Sequence, residues 1–243
     1  MNKLIIVKKI FKWVGITLVV LLGAMVAIPY FFKDTIKEKV IEMVNKNLKA
    51  NLSLADVDIS LFKSFPKAQI TLSDFALVNK EPFVGDTLFA AKHIDVTLSV
   101  KDLIAGNYNL LGANVKDASA YIHFNKEGAG NFDIAIPSDT PEEESAPIKL
   151  DIQSYNVENL KFTFKMDDGN IFMEIADIYH SWKGNFAEEV LDLDTQTKAN
   201  FTFAMDKSTF MNRVPITLQA LLGIDLKNQK YTFKENKATV NRL

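Results

Sequence analysis

The pattern of polar and apolar positions changes period twice along the chain. From Trp13 to Phe32, in WVGITLVVLLGAMVAIPYFF, no residue carries a charge. At ~1.5 Å rise per residue, a helix of this length matches the ~30 Å hydrocarbon core of a bilayer. Trp13 stands at one end and Tyr30, Phe31 and Phe32 at the other, the positions of the two aromatic belts of a membrane span. A cleaved signal peptide would have a shorter apolar run closed by a pair of small residues. Here Met25 and Ala27 make a poor pair, so the pattern predicts an uncleaved anchor. Lys3, Lys8, Lys9 and Lys12 precede it with no acidic residue among them. That bias predicts residues 1–12 in the cytoplasm and the bulk of the chain across the membrane.

Residues 33–51 change to a helical period. Ile36, Val40, Val44 and Leu48 recur at steps of four and form one apolar stripe, with Asp34 as the expected cap and Asn51 just past the expected end. From residue 52 to 243 the period is two. Leu88, Ala90, Ile94, Val96, Leu98 and Val100 alternate with polar residues; so do Leu160, Phe162, Phe164 and Met166, then Ala199, Phe201, Phe203 and Met205, then Val214 to Ile224. Such runs predict half-buried strands with one apolar and one wet face, in an antiparallel sheet. Ala68, Ile70 and Leu72 are even-numbered, whereas Phe75 and Leu77 are odd. A bulge at Ser73-Asp74 would switch the phase and curve the strand. The fold class is therefore mainly β: a membrane helix and a short amphipathic helix, then a long-stranded, curved antiparallel sheet, groove-like or sandwich-like.

The glycine-rich stretch FNKEGAGNFDI, Phe124 to Ile134, invites comparison with a phosphate loop. A phosphate loop is followed at once by a helix or a Lys-Ser/Thr pair. Neither is present, and the alternation resumes at Phe132 and Ile134, so the glycines predict a hairpin turn. Asp168-Gly169 predicts another. Residues 136–147, with three prolines and Glu142 to Glu144, read as a solvated acidic loop.

Composition narrows the chemistry. The 243 residues carry a net charge of −2 and no cysteine, which points away from nucleic acid and removes thiol chemistry and disulfides. His93, His123 and His180 are isolated on predicted strands without metal-ligand spacing, and His93 and His123 fall on polar faces, where they are expected to be solvated. Asp192 and Asp194 point outward together, Asp167 and Asp168 lie in a turn, and Trp182 reads as sheet packing. No motif with a catalytic mechanism emerges. The expectation is a non-enzyme with no cofactor and no metal.

In their order, these phrases resemble the N-terminal part of the AsmA family. They are the anchor, the amphipathic helix, LFKSFPKAQITLSDFALVN (Leu61 to Asn79), GDTLFAAKHIDVTLSVKDLIAGN (Gly85 to Asn107), the Gly-Asn-aromatic-Asp turn, and VPITLQALLGIDLKNQKYTFKENKATVNRL (Val214 to Leu243). Asn51 stands where many members place glycine. Members usually run to several hundred residues, so the chain, which stops in mid-strand, is expected to be a truncated form that exposes an edge. The resemblance implies an inner-membrane-anchored periplasmic protein of outer-membrane biogenesis, with phospholipid acyl chains and envelope proteins as partners. Under it, Leu98, Phe162, Phe164, Phe201 and Phe203 are expected to face lipid in a groove. The alternative is a membrane-tethered scaffold with these residues in a closed core and no lipid cargo.

Overall fold

The computed structural model describes residues 48–61, 67–105, 108–136, 148–183, 190–225, 228 and 230–241. Of the first 47 residues it describes Trp13, Ile16, Gly23, Ala27, Tyr30, Phe31, 33–35, 37–42 and 44–47. All these N-terminal positions are helical. The span read over 13–32 falls mostly outside the described residues, Phe32 included, as do residues 1–12 and most of the acidic loop. Among the described residues no helix is long and apolar enough to cross a membrane. Trp13, Ile16, Tyr30 and Phe31 are exposed.

The helical positions end at Asn47. Val40, Val44 and Leu48 are half-buried, while Glu38, Lys39, Glu42 and Lys46 are exposed, as the stripe predicts. The expected boundaries differ. Lys33, Asp34 and Thr35 are all helical, so Asp34 does not cap a helix start, and Asn51 already belongs to a strand. Lys80 closes the helix end instead: its Nζ donates to Asn45 O (2.9 Å) and Leu48 O (3.1 Å). Those are carbonyls that no later turn of helix can satisfy.

Among the described residues that follow, ten strands form one sheet: β1 (Ala50–Ser53), β2 (Asp56–Ser60), β3 (Lys67–Asn79), β4 (Thr87–Ser99), β5 (Tyr108–Phe124), β6 (Ile148–Met166), β7 (Ile171–Lys183), β8 (Val190–Met205), β9 (Ser208–Asp225) and β10 (Lys230–Val240). A single-turn helix, Val100–Ile104, joins β4 to β5. From β3 onward, neighbours in sequence are neighbours in the sheet. β1 and β2 lie end to end along β3 in one register, Ala50 opposite Asn79 and Ser60 opposite Gln69. They act as one edge strand broken at Leu54-Ala55. Every pairing is antiparallel except β5 with β6, which run parallel, Tyr108 opposite Ile148 and Phe124 opposite Met166. The uniformly antiparallel sheet expected from the alternation is corrected there. Alternation sets which face a side chain takes and carries no strand direction.

The phase switch seen at Ser73-Asp74 is present and is not confined to β3. Asp74 is left-handed (φ 50), and so are Asp117 on β5 (φ 51), Asn159 on β6 (φ 59), Asp177 on β7 (φ 51) and Arg213 on β9 (φ 49). Register places them at one level across the sheet. Ala91 pairs with Ala118 and His93 with Lys116, which puts Lys92 opposite Asp117; Lys116 pairs with Glu158 and Ala118 with Leu160, which puts Asp117 opposite Asn159. On β3, β5, β6 and β9 the left-handed residue follows a second polar residue, whereas on β7 Asp177 lies between Ala176 and Ile178. Lys116 pairs with Glu158 (3.3 Å), and Asn159 Nδ2 beside it donates to Asp117 Oδ1 (2.7 Å). Farther along, Asn200 Nδ2 and Arg213 Nη2 both donate to Asp177 Oδ2 (2.8 and 2.6 Å). Asn and Asp tolerate the left-handed region better than other side chains with a Cβ. Bulges bend a strand and raise its twist, so a transverse line of them bends the sheet along one crease.

The crease also moves residues that strict alternation assigned elsewhere. On β4, Phe89 and Ala91 pair with Leu77 and Phe75 and join the apolar rows, in place of Leu88 and Ala90. Phe75 and Phe89 meet edge-on at 5.9 Å between centroids.

The glycine-rich stretch is a turn. Gly128 has φ 81, Gly128 N donates to Asn125 O (3.1 Å), and Asn125 Oδ1 accepts from Ala129 N (2.9 Å). Asn131, 1% exposed, then replaces a strand beyond the end of the β4 ladder. Its N donates to His123 O (2.9 Å), its Oδ1 accepts from His123 N (2.9 Å), and its Nδ2 donates to Tyr121 O (2.8 Å). Onward, Lys49 N donates to Ile134 O (2.7 Å) and Ile136 N to Asn47 O (3.1 Å), tying the turn to the end of the N-terminal helix.

Candidate functional site on the apolar face

β8 serves as the ruler for the face. No left-handed residue interrupts Val190–Met205, so Leu191, Leu193, Thr195, Thr197, Ala199, Phe201, Phe203 and Met205 all point the same way. Burial agrees: Leu191, Leu193, Thr195 and Ala199 are buried, while Asp192, Asp194, Gln196 and Lys198 are exposed. The apolar face therefore runs unbroken through the crease. The bulges on the neighbouring strands keep their apolar residues on it.

Register gathers four of the five expected groove residues. Phe162 pairs with Ile175, which pairs with Phe201. Phe164 pairs with Met173, which pairs with Phe203. Phe164 also packs on Phe124 (5.7 Å) and Phe203 on Phe210 (5.7 Å). Leu98 is not among them. It is buried between Ala68 and Leu110, nine residues along β4 from Phe89, the β4 member of the Phe162 row. At strand rise that is about 30 Å. On the other side of the crease lies a second cluster, Trp182, Leu191 and Leu193 with Ile152, Tyr155, Leu222 and Ile224 around it. Trp182 is sheet packing, as its sequence context suggests.

Nothing closes this face from above among the described strands. Among the described residues the extensive strand-to-strand packing is between sheet neighbours, β1 and β10 do not pair, and the sheet stays curved and unclosed. Phe210, Met211, Tyr231 and Phe233 remain 40–72% exposed at the β9–β10 side. The other side is flanked by the N-terminal helix, whose Lys33 pairs with Asp56 (3.7 Å) at the start of β2. A sandwich would have buried these side chains against a second layer.

The histidines take three different environments. His93 is exposed. His123 is not solvated as expected: its Nδ1 lies 2.7 Å from Asp86 Oδ2 and its Nε2 3.1 Å from Asp167 Oδ2, with Phe83 and Tyr121 against the ring. It pins the β3–β4 loop and the β6–β7 turn to the end of β5. Lys165 Nζ, 2.8 Å from Asp167, completes the group and, with His123, holds the Asp167 carboxyl below its usual range. His180 lies on the apolar face between Tyr155 and Thr197, and burial lowers its pKa. No group of three or more His, Asp or Glu side chains among the described residues is arranged to hold a metal ion.

Geometry and chemistry together describe a curved, unclosed β-sheet of long strands, with one polar and one apolar face, bent along one crease, and with no second sheet over the apolar face among the described strands. The sequence profile of the AsmA family matches residues 6–231, and the chain belongs to that family. No curated protein and no solved structure matches it.

Proposed function

We propose that this protein is a membrane-anchored, non-enzymatic carrier or conduit for phospholipid acyl chains on the periplasmic side of the inner membrane, serving outer-membrane biogenesis. The observation that carries the reading is the apolar face, over which no second sheet folds among the described strands. Long apolar rows exposed to water are costly for a monomeric protein and mark a surface that meets another apolar body. The uncharged run 13–32, the four lysines before it and the exposed Trp13, Tyr30 and Phe31 support an anchor with its N-terminus in the cytoplasm. In the sequence, Phe32 adds a third aromatic residue next to Tyr30 and Phe31. Membership of the AsmA family supports an envelope role. The lipid-facing residues are Phe162, Phe164, Phe201 and Phe203, with Leu98 part of the same face farther along. Envelope proteins that deliver or receive the lipid are the expected partners.

The test is a photo-crosslinking amino acid at Phe164, in cells, with lipid adducts read by mass spectrometry. The control is Lys161, exposed on the polar face of the same strand and free of the His123 group. Phospholipid adducts from position 164 well above those from 161 are the expected result. Equal labelling, or none at either position, overturns the lipid reading and leaves the scaffold.

A further inference from the structure

We infer that Tyr155, His180 and Thr197 form an uncharged hydrogen-bond donor site, on the apolar face, for the ester carbonyl of an acyl-chain lipid. The inference rests on the lipid reading and adds to it a fixed position for the head end of the acyl chain.

Three polar side chains meet here on an otherwise apolar surface. Tyr155 Oη is 2.7 Å from His180 Nε2, and His180 Nδ1 is 2.7 Å from Thr197 Oγ1. Val157 pairs with His180, which pairs with Thr197, which pairs with Leu218. In the next row Tyr155 pairs with Trp182, with its ring stacked on the indole at 5.4 Å. All three side chains are half-buried, so each is both held and reachable.

Counting protons gives the site its character. Burial keeps the imidazole in its neutral form near neutral pH. A neutral imidazole carries one N–H, and the two hydroxyls carry one O–H each. The two hydrogen bonds of the chain use one proton apiece. With either tautomer, one hydroxyl proton is left without an acceptor inside the group: that of Thr197 if His180 Nδ1 donates, that of Tyr155 if Nε2 donates. An unspent donor on a surface meant for apolar cargo seeks an acceptor on the cargo.

The acceptor is uncharged. Across the sheet, the two rows that hold the site carry Ile70, Leu72, Ile94, Val96, Ala113 and Val115 on the β3–β5 side, with no charged residue. A phosphate oxygen would sit there with no cation to offset its desolvation. An ester carbonyl accepts one hydrogen bond and brings no charge. From Thr197 the same face of β8 leads to Phe201 and Phe203, about 13 and 20 Å away at strand rise. A lipid held by its carbonyl at the triad thus lays its chain over the phenylalanines.

The experiment uses the full chain in detergent. It titrates a diester phosphatidylcholine and a diether phosphatidylcholine of the same chain length, with binding read by native mass spectrometry. The two lipids share the phosphate and differ in the carbonyls. Wild type is expected to bind the diester about fivefold more tightly, the yield of one neutral hydrogen bond. Because a single substitution still leaves one unspent donor, the variants remove all three groups: Tyr155→Phe/His180→Leu/Thr197→Val and Tyr155→Phe/His180→Phe/Thr197→Val should lower diester affinity toward the diether value and leave diether binding unchanged. The wild-type comparison needs no substitution, so it stands even if a variant folds poorly. Equal affinity of wild type for the two lipids overturns the site, as does an equal loss of both lipids in the variants; either leaves acyl capture at Phe164 intact. No binding of either lipid overturns the lipid reading as well.

Discussion

Replacing Asn159 by valine should cost this protein about 2 kcal/mol, the penalty for forcing a residue with a Cβ into the left-handed region. Asn159 sits in mid-strand at φ 59, flanked by Glu158 and Leu160, on the line of left-handed residues that creases the sheet. Asparagine adopts this conformation at reduced cost, and a β-branched side chain does so least readily of all. Asn159→Gly removes the same amide, and with it the hydrogen bond to Asp117, but accepts the left-handed backbone freely. It should stay within about 0.5 kcal/mol of wild type, because the lost hydrogen bond is exposed. Urea unfolding followed by circular dichroism separates the two. With a slope of roughly 3 kcal/mol/M for a domain of this size, valine should lower the midpoint by about 0.7 M and glycine by less than about 0.2 M. If valine and glycine lower it equally, the side-chain amide matters and the backbone conformation does not, and the crease loses its physical basis. If valine is tolerated as well as asparagine, the left-handed residue is not needed to keep the apolar rows on one face.

The other predictions concern single residues. Asn131→Ala should cost about 2–4 kcal/mol, since it leaves His123 N and Tyr121 O without their partner at a buried position, and hydrogen exchange at His123 should speed up sharply. The folded pKa of His180 lies below its ordinary value of 6.5 because of burial, so as pH falls the unfolded chain takes up the proton first. The stability due to neutral His180 is thus full above pH 6.5 and erodes below it, so the melting temperature should fall between pH 7.5 and 5.5 more steeply than in His180→Gln. Asp117 and Asp167, whose pKa values are lowered from 3.8, keep their contribution until pH drops well below that window and do not obscure it.

Whatever repeats within one strand could be read from the order of residues alone. Alternation in Phe201, Phe203 and Met205, or in Phe162 and Phe164, names the residues of one face because successive side chains leave a strand on opposite sides. The phase break between Leu72 and Phe75 announced the bulge that Asp74 makes, and the absence of a following helix marked Gly128 as a turn residue. Only the tertiary structure could decide what lies between strands. Alternation is indifferent to strand direction, so the parallel pairing of β5 and β6 left no trace in it. It also carries no register, so nothing local says that the left-handed residues of five strands fall on one line. Nor does it say that Leu98 lies about 30 Å from the phenylalanines it was grouped with. His123 looked solvated because its partners, Asp86 and Asp167, are 37 and 44 residues away. The Tyr155–His180–Thr197 chain was hidden for the same reason: three strands each supply one group, and the hydrogen bonds exist only once register brings them side by side. Whether the apolar face is covered depends on whether a second layer folds over it. That is a property of the whole chain's packing, and no single strand encodes it.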